Sequence, residues 1–239
     1  MRRNFLGNAG FLTVPLAIII AGVIVGLSVI YAVGRNETSD AAIGDVSVTE
    51  ESGAAENVKS VSVDDFIWGD ANAPVKVVEF SDTECPFCKR FHYTMKQIVE
   101  EYNGQVAWVY RHFPLDALHS KARKEAEALE CAGELGGNAK FWSYLDRLME
   151  LTPSNDGLDP AELPRIAQYV GLGISQFNVC LTSGRNAARV EEDYADGVAS
   201  GAEGTPYSVI IDANGQVSTL EGAYPLPDVK AAIDKALGK

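Results

Sequence analysis

Two cysteines separated by two residues, Cys85 and Cys88, are the side chains best suited to covalent chemistry in this sequence. A thiolate is both a nucleophile and a leaving group, so such a pair can close a disulfide and exchange it with another. Pro86 disfavours helical geometry at Cys85 and suits the first position of a helix. We therefore expect Cys85 at a helix N-cap, where backbone N–H groups and the helix dipole favour its thiolate.

Two other roles are open to a Cys-x-x-Cys pair, namely a purely structural disulfide or half of a zinc site. Zinc needs four ligands, and the remaining cysteines, Cys131 and Cys180, do not form a second pair at this spacing. His112 and His119 are expected in ordinary strand and helix-start settings, and His92 at the surface. We therefore expect no metal site and favour redox chemistry, because the pair follows a predicted strand and opens a predicted helix.

One acidic residue, Glu79, lies inside a largely apolar run, Val75–Phe80, that predicts a buried strand. Burial raises the pKa of a carboxyl group, and a protonated acid beside two sulfurs could pass a proton to or from Cys88. The alternative is a glutamate that pairs with a lysine or reaches solvent at the end of the strand. Glu84, which directly precedes Cys85, is expected in solvent.

A βαβ unit positions these residues. The strand Val75–Phe80, the helix that carries the cysteines and a second apolar run, Val106–Phe113, are consecutive. The helix shows apolar residues at the spacing of a core-facing stripe: Phe91, Met95, Ile98 and Tyr102. A strand, a helix and a strand in this order predict two parallel strands.

The rest of the chain completes an α/β order of elements. Residues 115–203 are expected to be mostly helical. Asn214-Gly215 predicts a hairpin between strands at 207–212 and 216–220, and a last helix is expected at about residues 227–237. The predicted order is therefore β-α-β, a helical block, then β-β-α.

The N-terminal part of the sequence predicts a membrane anchor followed by a linker. No charged residue occurs from Phe11 to Val33, a run long enough to span a bilayer. Because two arginines precede this run, residues 1–34 are expected to form a cytoplasmic N-terminus and one transmembrane helix, with the rest of the chain outside the cytoplasm. The alternative is cleavage near residues 32–34. Residues 35–60 are rich in small and acidic side chains and predict a flexible linker.

Several motifs together resemble the DsbA-like thiol–disulfide oxidoreductases of the thioredoxin superfamily. The resemblance covers residues 61–239 and implies a thioredoxin fold with a helical insertion at about residues 115–203. The motifs that carry it are Val78-Glu79-Phe80, Cys85-Pro86-Phe87-Cys88, Arg111-His112-Phe113-Pro114-Leu115, Glu130-Cys131-Ala132, Lys140-Phe141-Trp142 and Gly204-Thr205-Pro206.

The resemblance implies roles for residues around the thiols. In this family a cis Thr-Pro bond packs beside the thiols and contacts the incoming peptide, which assigns that role to Thr205 and Pro206. Pro86 and Phe87, between the cysteines, support the site. Phe87 stands where the strongest oxidants of the family have His, so we expect an oxidising but less extreme centre. The family also has an acid at the position of Glu79, with a suggested proton-relay role.

The resemblance further implies a structural disulfide between Cys131 and Cys180. Closing a loop of this length stabilises a fold by roughly 4 kcal/mol on a chain-entropy model. The alternative is a relay pair that passes electrons to Cys85 and Cys88.

The expected function is an extracytoplasmic thiol–disulfide oxidoreductase that introduces disulfides into secreted or surface proteins. Its substrates are reduced or unfolded proteins, a membrane or extracytoplasmic redox partner resets the cysteine pair, and the anchored head is monomeric. No cofactor is expected beyond the redox-active disulfide Cys85–Cys88. A net charge of −13 argues against nucleic acid as a partner. The alternatives are a disulfide isomerase or reductase, or a thioredoxin-like chaperone or metal-binding module.

Overall fold

The computed structural model describes residues 53–239, in which five strands form one mixed sheet. The strands are β1 (Phe66–Gly69), β2 (Val75–Ser81), β3 (Val106–His112), β4 (Tyr207–Ile211) and β5 (Val217–Glu221), in the order β1-β3-β2-β4-β5. Strand β2 is parallel to β3 and antiparallel to β4. The predicted parallel pair of the βαβ unit is therefore confirmed, and β2 lies at the centre of the sheet.

Residues 53–239 also form six helices. They are α1 (Pro86–Tyr102), α2 (Ala122–Leu151), α3 (Glu162–Tyr169), α4 (Ile174–Ser183), α5 (Ala187–Ala199) and α6 (Leu226–Ala236). A non-helical residue, Gly137, interrupts α2 at φ 72° and ψ −171°, so α2 consists of two helical segments joined at a kink. Glycine adopts this left-handed backbone at little steric cost, which explains its presence at the kink.

The two faces of the sheet are covered by different helices. The larger apolar core lies between the sheet and helices α1, α2 and α6, and it includes Phe91, Trp108, Trp142 and Ile233. Helices α3 and α4 pack against α2 and extend this core away from the sheet. The smaller core lies on the opposite face, beneath α5.

Helix α5 therefore lies on a different face of the sheet from the rest of the predicted helical insertion. Its Tyr194 ring stacks on Phe113 with the centroids 4.6 Å apart, and its Gly197 backbone approaches the rings of Phe80 and Phe113. The sequence predicts one helical block over residues 115–203, whereas the structure places α2 to α4 on one face and α5 on the other. Helical periodicity alone does not reveal which face of a sheet a helix covers.

Strand β1 is not among the predicted elements. It has only four residues, and it pairs antiparallel with β3 so that Trp68 lies opposite Trp108. The Phe66 ring stacks on Phe141 of α2, with the ring centroids 3.9 Å apart. This edge strand depends on long-range contacts, which a four-residue pattern does not contain.

The folded domain includes residues that precede the predicted end of the linker at residue 60. Ala55 is buried and begins a short 3₁₀ turn, Ala55–Asn57. The Lys59 backbone N–H donates to Asp196 of α5, and the Lys59 carbonyl accepts a bond from the buried Arg111 guanidinium. Residues 55–60 therefore belong to the folded domain.

The predicted anchor, residues 1–34, and the earlier part of the predicted linker, residues 35–52, lie outside the described residues. Within residues 53–239, no helix combines the length and the apolar character that crossing a membrane requires.

Candidate functional site

Cys85 is the N-cap residue of α1, in extended geometry, with Pro86 at the start of the helix. This geometry follows from the proline, which disfavours a helical conformation at the residue before it. The Cys85 sulfur lies 3.5 Å from the carbonyl oxygen of Thr205. Cys88 is fully buried one turn along α1, and its sulfur accepts a hydrogen bond from the Asp82 backbone N–H at 3.5 Å.

The two thiols have opposite pKa shifts. A hydrogen bond from the Cys88 thiol lowers the pKa of Cys85 to about 6, and the Thr205 side chain and the N–H groups of Cys88 and Phe87 contribute, although burial opposes the shift. Burial raises the pKa of Cys88 well above its usual value, and the charges of Cys85 and Glu79 add to this effect. At neutral pH the pair thus holds one thiolate, on Cys85, and one thiol, on Cys88.

Glu79 lies in the central strand β2, with Tyr110 of β3 and Ser208 of β4 as its neighbours in register. Its side chain is buried, and its Oε2 atom has no hydrogen-bond partner among the described residues. Burial raises the pKa of Glu79 to about 8, against the opposing influence of Ser81 and Trp108. At neutral pH it is a protonated acid near Cys88, whose pKa the Glu79 charge would raise.

The Thr205–Pro206 peptide bond is cis and directly precedes β4. Beside it lies a cavity of about 470 Å³. Its walls are Gly201, Glu203, Gly204, Thr205, Pro206, Tyr207, Glu221 and Gly222. Thr205 connects this cavity to the thiols, because it lines the cavity and its carbonyl oxygen contacts the Cys85 sulfur.

Between the cysteines, Phe87 projects outward and is 54% exposed. The Arg90 guanidinium lies over its ring at 5.4 Å and donates a hydrogen bond to the Ala223 carbonyl. Phe87 therefore presents an apolar surface beside Cys85, while its side chain offers no hydrogen bond to the sulfur.

The polar residues between β2 and Cys85 form a buried network that the sequence interpretation did not foresee. The Asp82 carboxylate accepts hydrogen bonds from the backbone N–H groups of Glu84 and Leu115, both at 2.7 Å, and contacts Nδ1 of His119 at 3.0 Å. The sequence contains one signal for this network. It is the polar run between the buried strand and Cys85, Ser81-Asp82-Thr83-Glu84. It indicates side chains that are held by partners from distant parts of the chain.

Glu84 is fully buried, so its predicted exposure to solvent is wrong. Its carboxylate accepts bonds from the Thr152 hydroxyl and from the N–H groups of Gly157 and Leu158, at 3.2 to 3.3 Å. These donors lie in the loop after α2, about 70 residues further along the chain, and replace the water that the prediction assumed.

A second buried acid, Glu125 of α2, lies beside Glu84. Burial and the hydrogen bond shared with Glu84 raise the pKa of Glu125 to about 8, while a bond from the Thr83 hydroxyl at 2.7 Å opposes the shift. Glu125 therefore keeps its proton at neutral pH, because its ionisation would add a buried negative charge beside another acid.

The other two histidines are buried and lie in separate environments. His92 contacts Asp146 through Nε2 at 2.8 Å, so its predicted surface position is wrong. His112, Glu130 and Asp193 bring potential metal-ligand atoms within 4.8 Å of one another. However, His112 already contacts Glu130 at 3.0 Å and Asp193 already pairs with Arg189 at 3.0 Å. These contacts give the three residues a structural explanation.

Cys131 and Cys180 are joined by a disulfide that links α2 to α4, with the Cα atoms 5.9 Å apart. Both residues are buried, and Asn186 donates from its amide toward the two sulfurs. The bond lies within the helical region, whereas Cys85 and Cys88 are unbonded at the start of α1.

Fold and site together define a dithiol protein with a thioredoxin fold, and comparisons with known proteins agree. The family described as Thioredoxin matches residues 61–235. The solved structure of DsbA2 from Pseudomonas aeruginosa is 30% identical, with a TM-score of 0.64 over 74% of this chain and 96% of that chain. The chain therefore belongs to the thioredoxin family, among its DsbA-like members.

A more distant structure shows the same fold. BdbD from Bacillus subtilis, in its oxidised form, is 23% identical with a TM-score of 0.62, over 74% of this chain and 94% of that chain. The α/β thioredoxin fold with a helical insertion is thus shared at low identity.

The curated relatives that match are much longer proteins. A Na(+)/H(+) antiporter from Salinispora tropica is 34% identical over 172 residues, which are 72% of this chain but 24% of the antiporter. The chain thus spans about a quarter of the length of these relatives.

Proposed function

We propose that this protein is an extracytoplasmic thiol–disulfide oxidoreductase that introduces disulfides into secreted or surface proteins. The observation that supports this most is the pair of opposite pKa shifts at Cys85 and Cys88. A thiolate that is stable at neutral pH is a good leaving group, so a disulfide that includes Cys85 readily passes to another protein.

In the first step, a substrate thiolate attacks the Cys85 sulfur of the oxidised Cys85–Cys88 pair. A bond forms between the substrate sulfur and Cys85, and the bond between the two cysteines breaks. Cys88 leaves with the electron pair and needs a proton, because the pKa of its thiol is raised well above the usual value. In this proposal Glu79 supplies that proton, and its raised pKa of about 8 supports the role.

In the second step, another thiolate of the substrate attacks the substrate sulfur of the mixed disulfide. A disulfide forms in the substrate, and Cys85 leaves as a thiolate. The substrate loses two electrons and two thiol protons. The enzyme gains both electrons. One of the two protons replaces the proton that Glu79 gave to Cys88, and the other goes to solvent. A redox partner then restores the Cys85–Cys88 disulfide by the reverse exchange.

The cavity beside cis Pro206 is the proposed substrate site. Backbone groups of Thr205 and Pro206 would pair with an extended peptide, and Phe87 would contact its apolar side chains. Because Phe87 offers no hydrogen bond to Cys85, we propose an oxidising centre of moderate strength, with Cys131–Cys180 as a structural bond.

The cellular location also belongs to the proposal. The uncharged run Phe11–Val33 supports a single membrane anchor, with the cysteine pair outside the cytoplasm, where protein disulfides persist. The proposal does not include ion antiport, because the match covers only 24% of the antiporter.

The test is capture of substrates by a Cys88→Ser variant. Without the second thiol, mixed disulfides at Cys85 persist, and we expect adducts with secreted proteins that reductant releases. A Cys85→Ser variant is the matched control and should form none. Absence of adducts under conditions in which the wild type oxidises a reduced, unfolded protein would contradict the proposal.

The alternatives predict different outcomes in solution. An oxidase converts a reduced, unfolded protein to its native disulfide form with stoichiometric consumption of the Cys85–Cys88 disulfide. An isomerase would act instead on a protein with scrambled disulfides, and a reductase on native ones. A metal-binding module would carry one equivalent of a soft metal ion through purification and show no turnover.

A further inference from the structure

His119 and Asp82 form a buried pair between the end of β2 and the segment that leads into α2. The His119 Nδ1 atom lies 3.0 Å from Asp82 Oδ2, and both residues are at most 5% exposed. The proposed mechanism does not use this pair.

Asp82 connects this pair to both cysteines through its own backbone. Its N–H group donates to the Cys88 sulfur at 3.5 Å, and its carbonyl accepts a bond from the Cys85 N–H at 3.2 Å. Two backbone N–H groups fix its carboxylate, as described above. His119 is therefore held in a defined position relative to the thiols.

We propose that His119, oriented by Asp82, is a positioning residue whose imidazolium compensates the negative charge of the Cys85 thiolate. The inference rests on the proposed dithiol chemistry. By favouring the thiolate, His119 makes Cys85 a better leaving group and shifts the equilibrium of the pair toward its reduced state.

The electrostatic surroundings support a charged His119. Burial opposes its charge, but the hydrogen bond and charge of Asp82 together with the negative Cys85 sulfur raise the pKa of His119. The Asn155 side chain also contributes a hydrogen bond. The acidic or titratable groups around this part of the site are Asp82 after β2, Cys85 on α1, Asp156 in the loop after α2, and the pair Glu84 and Glu125. One further cation, Lys121, lies nearby, and its ammonium group donates to the carbonyl oxygens of Asp156 and Leu158.

Most of these neighbours are acidic, so a positive charge within the cluster favours the Cys85 thiolate. A thiolate beside carboxylates is disfavoured, because like charges raise the pKa of an acid. A cation within this cluster offsets the repulsion, and His119 is the imidazole whose own pKa responds to the Cys85 charge.

Thermodynamic linkage makes the inference quantitative. If the His119 charge favours the Cys85 thiolate, the thiolate must favour the His119 charge by the same free energy. In the oxidised protein Cys85 carries no charge, so the pKa of His119 should fall on oxidation. The size of that fall should equal the rise in the pKa of Cys85 when His119 is replaced by a neutral residue.

The experiment compares the full-length wild type with His119→Gln. The titration of Cys85, followed by the ultraviolet absorbance of the thiolate in the reduced protein, should move to higher pH by about one unit. This corresponds to ~10-fold less thiolate at pH values below the midpoint. In the equilibrium of the protein with glutathione, the fraction that has the Cys85–Cys88 disulfide should rise by a similar factor.

The matched control is His92→Gln, which removes another buried histidine. His92 lies further along α1 and pairs with Asp146 of α2. It should leave the Cys85 titration unchanged. An unchanged Cys85 midpoint in folded His119→Gln would overturn the inference.

A second measurement needs no variant and so covers the case in which His119→Gln does not fold. The histidine resonances of the wild type are titrated by NMR in the oxidised and reduced forms. Equal His119 pKa values in the two forms would overturn the inference. A wild type without oxidase turnover would instead contradict the proposed function, while the coupling of Cys85 and His119 would still be measured.

Discussion

Glu79 occupies a position in the central strand that packing alone would assign to an apolar side chain. Its neighbours in register are Tyr110 and Ser208, and both carry buried hydroxyl groups without partners among the described residues. Burying such groups costs free energy. The free-energy cost of burying Glu79 close to two thiols supports a role for this residue in moving a proton.

Replacing Glu79 by Gln should change the pH dependence of stability. The pKa of Glu79 is about 8 in the folded protein, above its ordinary value of 4.5, so the folded state keeps a proton that the unfolded state releases. The wild type therefore loses stability as pH rises from about 4.5 to about 8, by up to ~5 kcal/mol. Glu79→Gln should lack this loss, as urea unfolding at several pH values will measure.

The exposed Glu100 on the same helix as the thiols offers a control. Glu100→Gln should follow the wild-type pH profile, because Glu100 lies in solvent. Disulfide exchange by Glu79→Gln should slow by on the order of 10²-fold, the usual contribution of a general acid. Parallel stability profiles for Glu79→Gln and the wild type would show that Glu79 is ionised in the folded protein.

Sequence reasoning succeeded at the residue scale where one local pattern decided the outcome. The position of Cys85 at a helix N-cap follows from Pro86, and the burial of Glu79 follows from its apolar neighbours. Glu84 and His92 were misjudged because their partners lie far away in sequence. The donors to Glu84, for example, come from Thr152, Gly157 and Leu158.

At the scale of elements, the close contact of α5 with the sheet depends on Gly197. A Cβ atom at this position would lie 2.5 Å from Phe113 and 2.9 Å from Phe80, much closer than real contacts. Alanine normally stabilises a helix interior relative to glycine. The contact with two aromatic rings reverses that expectation here.

Gly197→Ala should therefore destabilise the protein by about 1–3 kcal/mol, the usual cost of overpacking. Thermal unfolding will measure the change, with Gly53→Ala as the control, because a Cβ at Gly53 meets nothing within 4 Å. A gain in stability for Gly197→Ala would mean that α5 can move away from the sheet at little cost.

The strands and helices that the sequence predicted have either a long apolar period or a clear turn signal such as Asn214-Gly215. Strand β1 escaped prediction because four residues carry too little pattern, and its pairing with β3 depends on Trp108 and Phe141. The side of the sheet that α5 covers also required the structure, since an apolar helix face fits either side.

At the scale of the whole molecule, the Cys131–Cys180 disulfide ties two helices that are 49 residues apart in sequence. Replacing both cysteines by Ala should lower the free energy of unfolding by up to ~4 kcal/mol, from restored freedom in the unfolded chain. Exchange by Cys85 and Cys88 at a temperature where the variant is folded should be unchanged.

Two assays distinguish this structural role from an electron relay. Denaturant unfolding under oxidising conditions gives the stability, and oxidation of a reduced protein gives the activity. Loss of turnover in a variant with wild-type stability would support a relay between the two cysteine pairs instead.

The opposite pKa shifts of Cys85 and Cys88 also determine how the proposed redox pair responds to its surroundings. Between about pH 6 and the pKa of Cys88, reduction takes up two electrons but only one proton, because Cys85 stays ionised. The midpoint potential then falls by about 30 mV per pH unit, half the slope of an ordinary dithiol. Acidification of the compartment would therefore strengthen this oxidant less than it strengthens a partner with two protonated thiols.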